Sequence, residues 1–316
     1  MISAEFIITT YLIIVLVSVV GVFNTRKIRF FISSIYSLFF ILVGFRPIDY
    51  NQDTINYYKF FDAVENYNLF TIFTGSSWHE PFFTMIVFTI DRLGFHESQM
   101  VIISFLIAIL SFVITIDKKF FTGSAFIFCS GVFIPATSSV RHLLALYLFM
   151  FFIYLFSKTT SIKKYILRTI AMFFMVPLTH ASALAPLSIY FWQKIKIHKK
   201  LFLACFVSFL ILYLDLYTHM LDRLAGTYGS TGFRGVSFIF LVFVFTVIAK
   251  GRIPRNDIWT LVVIGVFVVI PILGRLIPYM QFLYLSSRTL NIQHRILAFG
   301  VAILGGIFLS WTRLFH

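Results

Sequence analysis

Hydrophobic residues in this chain come in continuous runs rather than in alternation. The runs fall at about 4–23, 29–45, 81–95, 99–116, 121–137, 141–157, 165–179, 181–192, 201–218, 235–249, 257–277 and 294–312. A helix of about 17–25 apolar residues is long enough to cross a bilayer. Membrane barrels are read from alternating segments, which these are not. The pattern predicts an all-α, polytopic integral membrane protein with about 10–12 transmembrane or re-entrant helices. No internal repeat, low-complexity tract or soluble domain breaks it, so residues 1–316 are expected to form a single transmembrane domain.

Between the runs lie six basic clusters: "NTRKIR" (24–29), "DKK" (117–119), "SKTTSIKK" (157–164), "QKIKIHKK" (193–200), "KGRIPR" (250–255) and "TRLFH" (312–316). Lys and Arg concentrate in cytoplasmic loops. Placing all six inside predicts an outer loop at about 46–80 and smaller outer loops at about 219–234 and 278–293. Two places resist simple spans. Three apolar runs separate the clusters at 24–29 and 117–119, where an even number is required. The run 81–95 is short and holds Asp91 and Arg92, so it is expected to be re-entrant or partly inserted; the alternative puts "DKK" outside. Residues 165–200 are basic at both ends yet too short for two full spans, which predicts a hairpin of short helices broken at "VPLTHAS". His180 would sit at its tip, sunk in a cavity.

Composition agrees with the pattern. Of the 316 residues, 59% are hydrophobic and only 12% charged, where a soluble domain carries about 25% charged. The net charge of +14 is read as cytoplasmic loops facing anionic lipid, not as a nucleic-acid surface. Cys129 and Cys205 sit inside apolar runs without a Cys or His companion and are read as small buried hydrophobes. The first run lacks a basic leader and a small-residue cleavage site, so it reads as a spanning helix. No metal-ligand spacing, dinucleotide or phosphate-loop fingerprint or nucleophile elbow occurs, so no metal and no cofactor are implied.

Charge at membrane depth is costly and marks candidate function. "GFRPIDYNQDTINYYKFF" (44–61) puts Arg46 at the outer mouth of the second run. Its guanidinium is either snorkelling or an anion clamp. Asp53 is either a helix cap or a general base or arginine partner, and Tyr57 either an interface residue or a sugar platform. Glu80 in "WHEP" either starts a helix or joins the site. Arg141 opens a helix, where the macrodipole opposes a cation, so an anionic ligand is expected beside it. His142 points about 100° away around that helix and ranks lower. His180 is the best single candidate for proton transfer, against a structural histidine bonded to a carbonyl. Arg234 and Arg288 are taken from the loops they occupy.

These residues resemble the EpsG family of bacterial polysaccharide-synthesis proteins, which overlaps the Wzy type of O-antigen and capsule polymerases. The likeness rests on Gly44, Arg46, Asp53, Asn56 and Tyr57, then Glu80 with Pro81, Arg141 with Ala145, and His180 with Ser182. His142 stands where many relatives show Gln. The C-terminal third carries no motif of the family, so Arg234 and Arg288 rest on charge alone. The resemblance implies a metal-independent membrane glycosyltransferase. It would polymerise undecaprenyl-pyrophosphate-linked oligosaccharide repeat units into O-antigen, capsular or exopolysaccharide, facing the periplasm or exterior from the bacterial inner membrane. It implies His180 and Asp53 as catalytic groups, and Arg46, Tyr57, Glu80, Arg141, Arg234 and Arg288 as pyrophosphate or glycan contacts. Its partners would be donor and acceptor lipid-linked sugars and the bilayer, with room for a chain-length regulator and none for nucleic acid. The alternatives are another lipid-linked-sugar transferase (a ligase or acyltransferase) and a polysaccharide transporter or flippase.

Overall fold

A computed structural model describes residues 2–73, 80–132, 139–180, 183, 186–187, 190, 277–286 and 290–314. All its regular structure is helical. The helices are α1 (Ala4–Val17, continued as a 3-10 helix Ser18–Phe23), α2 (Arg26–Gly44), α3 (Gln52–Val64) and α4 (Leu69–Phe73). Then come α5 (Pro81–Arg92), α6 (Gln99–Thr115), α7 (Phe121–Ile127, continued as a π-turn Phe128–Val132), α8 (Val140–Ser157) and α9 (Ile162–Met175). The last are α10 (Ile277–Ser286) and α11 (Ile292–Leu314). Among the described residues three helices, Ala4–Phe23, Arg26–Gly44 and Val140–Ser157, are long and apolar enough to cross a membrane, and three shorter apolar helices accompany them. The protein is a multi-pass membrane protein.

The chain divides into two compact units, residues 1–183 with 281–316, and residues 184–280. The packing described below is that of the first. Its helices start on local signals. Thr25 caps α2, its hydroxyl accepting from the Ile28 amide at 3.3 Å, and Asn51 caps α3, accepting from the Thr54 amide at 2.8 Å. Asn24, at φ 48°, turns the chain between α1 and α2.

α2 and α6 lie antiparallel. At one end Arg29 Nε donates to the Ile116 carbonyl at 2.9 Å; midway Ser37 Oγ donates to the Ala108 carbonyl at 2.9 Å. At the other end Arg46 reaches Met100 Sδ at 3.7 Å. Both ends of the stretch 46–98 therefore lie at the same end of the bundle. α5 has 12 residues, about 18 Å of helix, which is too short to cross about 30 Å of hydrocarbon. The antiparallel pair also sets "DKK" at the same end as Arg29.

α7 rises from that basic end, where Asp117 pairs with Lys158 at 2.7 Å below α8. The Thr115 and Ser124 hydroxyls meet at 2.6 Å. Where α7 loosens into its π-turn, the Tyr11 hydroxyl donates to the Cys129 carbonyl at 2.6 Å and lies 2.9 Å from that of Phe128. A π-turn frees carbonyls that lipid cannot satisfy, so a neighbouring hydroxyl is needed. Tyr36 stacks on Phe128 at 3.7 Å and shares a 2.9 Å hydrogen bond with Ser18.

α10 and α11 depart from the expected topology. Phe282 stacks on Phe120 at 5.8 Å, and Ser286 faces Gly123. Phe299 packs on Phe121 and beside Gly21, and Gly306 lies against Val15 and the Cys129 carbonyl. α11 thus starts at the Asp117 end and runs toward the Arg46 end. The sequence reading set 278–293 at the Arg46 end and the tail 312–316 among the basic loops. The described residues on both sides of 287–289 pack at the opposite end, because ring and glycine contacts, not charge, fix the direction of these helices. The expected loop at 219–234 lies outside the described residues.

Candidate active site

The Arg46 end collects most of the sequence-predicted residues. Arg46 follows the last turn of α2 and is 2% exposed. Burial pushes its guanidinium below the ordinary arginine range; neighbouring Tyr57, Tyr50 and Tyr58 and the Asp53 carboxylate act in the opposite direction. The Tyr58 phenol is pushed up by its own burial and drawn back by Arg46.

α3 carries Tyr57 inward. Its ring packs near Phe61 and Phe83, with centroids at 6.3 and 6.0 Å, and the residue is 5% exposed. It is therefore not an open platform for a sugar. Its hydroxyl instead accepts from the Arg141 backbone amide at 3.4 Å, at the start of α8. Asp53 stands in the first turn of α3, exposed to solvent. The cap of α3 is Asn51, not Asp53. Asp53 acts on Arg46 as a charge at the rim.

Arg141 Nη1 forms an ion pair with Glu80 Oε2. The arginine side chain is 12% exposed and the glutamate 19%. The anion expected near this helix start is thus supplied by the chain itself. Glu80 reaches it because it precedes Pro81 at the start of α5. The Phe82 and Phe83 amides, left over at that helix start, donate to the Leu178 carbonyl at 2.9 and 3.3 Å. That bond ties α5 to the turn after α9, which ends at Met175 as the "VPLTHAS" break predicts.

His180 sits just beyond this turn, 3% exposed. Its ring meets that of His142, also 3% exposed, edge to face at 5.0 Å. The sequence reading ranked His142 low because it diverges from Arg141 around α8. That divergence is what points it at His180, and only the packing of α9 against α8 reveals it.

Arg46, Tyr57, Arg141 and Glu80 with the two histidines thus form a connected, largely buried polar group, with Asp53 at its edge. Two fixed guanidiniums suit a multiply charged oxyanion. Adjacent imidazoles suit proton transfer. Arg234 and Arg288 lie outside the described residues. The His294 amide donates to Asn291 Oδ1 at 2.9 Å, at the start of α11 and the opposite end. The family model described as "EpsG family" matches residues 28–312. No curated protein and no solved structure matches the chain.

Proposed function

The chain belongs to the EpsG family, which is linked to exopolysaccharide biosynthesis, and from that premise we propose that it polymerises polyprenyl-pyrophosphate-linked repeat units. The observation that carries this reading is the convergence of Arg46, Arg141 and His180, all largely buried, at one end of the bundle. In the proposed reaction the bond from the donor's anomeric carbon to the pyrophosphate oxygen breaks. A bond to the acceptor hydroxyl oxygen forms, and the acceptor proton passes to His180. Arg46 and Arg141 stabilise the charge that grows on the departing pyrophosphate. Glu80 and Tyr57 hold Arg141 in place. His142 packs on His180 and restricts its ring. Asp53 offsets the charge of Arg46 from the rim, and it retains the role of base as an alternative to His180. Arg234 stays in the proposal as a glycan contact on charge alone; Arg288, whose described neighbours pack at the other end, does not.

The opposite end gathers Arg26, Lys27, Arg29, Lys118, Lys119 and Lys158. By the positive-inside rule that end is cytoplasmic, and the site faces the periplasm or exterior from the bacterial cytoplasmic membrane.

The test is a gene deletion read by polysaccharide gels. Loss of the chain should leave single repeat units in place of a ladder. Arg46→Ala, Arg141→Ala and His180→Ala, expressed at wild-type level, should not restore the ladder. Normal ladders from these variants would overturn the site. Accumulation of full-length lipid-linked polymer in the deletion would instead indicate a ligase, and units trapped inside a flippase.

A further inference from the structure

Sequence spacing shows no metal motif, yet among the described residues the fold assembles a group of metal-ligating side chains from separate elements. Glu65 caps the end of α3, Asp91 lies in the last turn of α5, and His96 lies in the turn that follows. His96 Nδ1 is 2.6 Å from Asp91 Oδ1 and 3.9 Å from Glu65 Oε1, and the three ligand atoms all lie within 4.8 Å of one another. We propose that Glu65, Asp91 and His96 bind a divalent transition-metal ion, Zn2+ in the first instance, that staples α3 to α5.

Four observations carry this. Asp91 is 1% exposed, and His96 is its side-chain partner. Arg92, next to Asp91 in the chain, donates instead to the Glu65 and Tyr67 carbonyls at 3.2 and 3.0 Å and lies over the Phe88 ring. One imidazole and two carboxylates carry two negative charges when the histidine is neutral, matching a dication. Ligands at 2.0–2.2 Å around tetrahedral zinc stand about 3.4 Å apart, so the 2.6 Å hydrogen bond between His96 and Asp91 opens and the Glu65 carboxylate, at 3.9 Å, closes in as the ion enters. One nitrogen with two oxygens favours zinc over magnesium, which prefers oxygen and water, and over copper(I), which prefers sulfur. His96 and Glu65 are 53% and 56% exposed on their side chains, so an ion can enter from water and keep a water as its fourth ligand.

The role is structural. Asp91 stands 11 residues from Glu80 along α5, about 16 Å of helix, so the ion is remote from the proposed chemistry. It closes the far ends of the two helices whose near ends present Tyr57 and Glu80. Gly94, at φ +87°, lets the chain reverse after α5 so that His96 returns toward Asp91.

The test uses the purified full-length chain in detergent, stripped with chelator and then given Zn2+. The expected result is about one ion per chain retained after gel filtration, with a Zn2+-dependent rise in thermal unfolding temperature. Both should be lost in His96→Ala and in Glu65→Gln, which alter exposed side chains and so leave folding intact even where Asp91→Asn does not. Equal retention in wild type and His96→Ala would put the ion elsewhere, and a loss of stability in His96→Ala that is the same with and without Zn2+ would show an ion pair alone; either result overturns the proposal.

Discussion

Arg141 and Glu80 answer each other's charge where water is scarce, and that fixes what their variants should do. Removing one partner of a well-buried pair costs about 3–5 kcal/mol; this pair is partly exposed, so about 2–3 kcal/mol is expected. Glu80→Gln and Arg141→Ala should each lower the unfolding temperature in detergent. The double variant should recover most of that loss, yet make no ladder, because the proposed anion clamp is gone. A double variant as unstable as the sum of the singles would mean that the two act separately. At this scale the sequence told much: Arg46, Arg141 and His180 stood out because charge and imidazole are rare in such a chain. Tyr57 was harder, because a tyrosine near a membrane surface reads alike whether its ring is open or packed. The cap of α3 went to Asn51, two positions before the residue that looked suited to it. The Glu65–Asp91–His96 group was invisible, since its members come from two helices and a turn.

Between elements, packing in lipid depends on close approach rather than on hydrophobic drive. A Cβ added at Gly44 would stand 2.9 Å from Ser104 Cβ and 3.1 Å from Val101 Cα, and one at Gly306 would stand 2.5 Å from the Cys129 carbonyl oxygen. Gly44→Ala should cost about 2 kcal/mol through forced separation of α2 and α6. Gly306→Ala should cost more, because backbone cannot swing aside. Gly300→Ala, with nothing within 4 Å, should be neutral or gain up to about 1 kcal/mol from helix propensity. Thermal unfolding of the three variants checks that order. A second prediction concerns the basic end. Burial alone would raise Asp117, but hydrogen bonds from Lys158 and the Lys119 amide bring its carboxyl below the ordinary value, while the same contact holds Lys158 above its own. The lowered carboxylate stabilises the fold above the ordinary carboxylate range, and that gain fades as pH falls through its lowered pKa. The raised ammonium keeps its gain below the ordinary lysine range and loses it as pH rises through its raised pKa. Lys158 is over half exposed, so the pair is worth about 0.5–1 kcal/mol. Asp117→Asn should show that deficit at pH 7 and converge with wild type in acid; an equal deficit in acid would assign the effect to packing.

For the whole molecule the question is which end each segment occupies. Hydropathy made the class plain, since apolar runs with so few charges leave little else. Direction was less legible, because a run reads the same upward or downward and only flanking charge orients it. That rule served for the clusters at 24–29, 117–119 and 157–164, where basic residues meet around Asp117. It did not serve for α11, whose contacts run from Gly21 to Val15 and so reverse the expected sense. The number of crossings was also ambiguous at α5; the antiparallel pairing of α2 with α6 puts both ends of 46–98 at one end of the bundle. These relations make a single labelling experiment decisive. Cysteines placed one at a time at Asn66, Glu97, Lys118 and Leu290, in a background with Cys129 and Cys205 replaced by Ala, should fall into two classes with a membrane-impermeant thiol reagent on intact cells. Asn66 and Glu97 flank α5 and should label together from outside. Lys118 and Leu290 belong to the Arg29 end and should label only after the membrane is opened. Should Asn66 and Glu97 fall into different classes, α5 must cross after all and the site would lose its common face. Should Leu290 label with Asn66, α11 runs as the charge pattern first suggested, and the Phe299–Phe121 contact is not the native one.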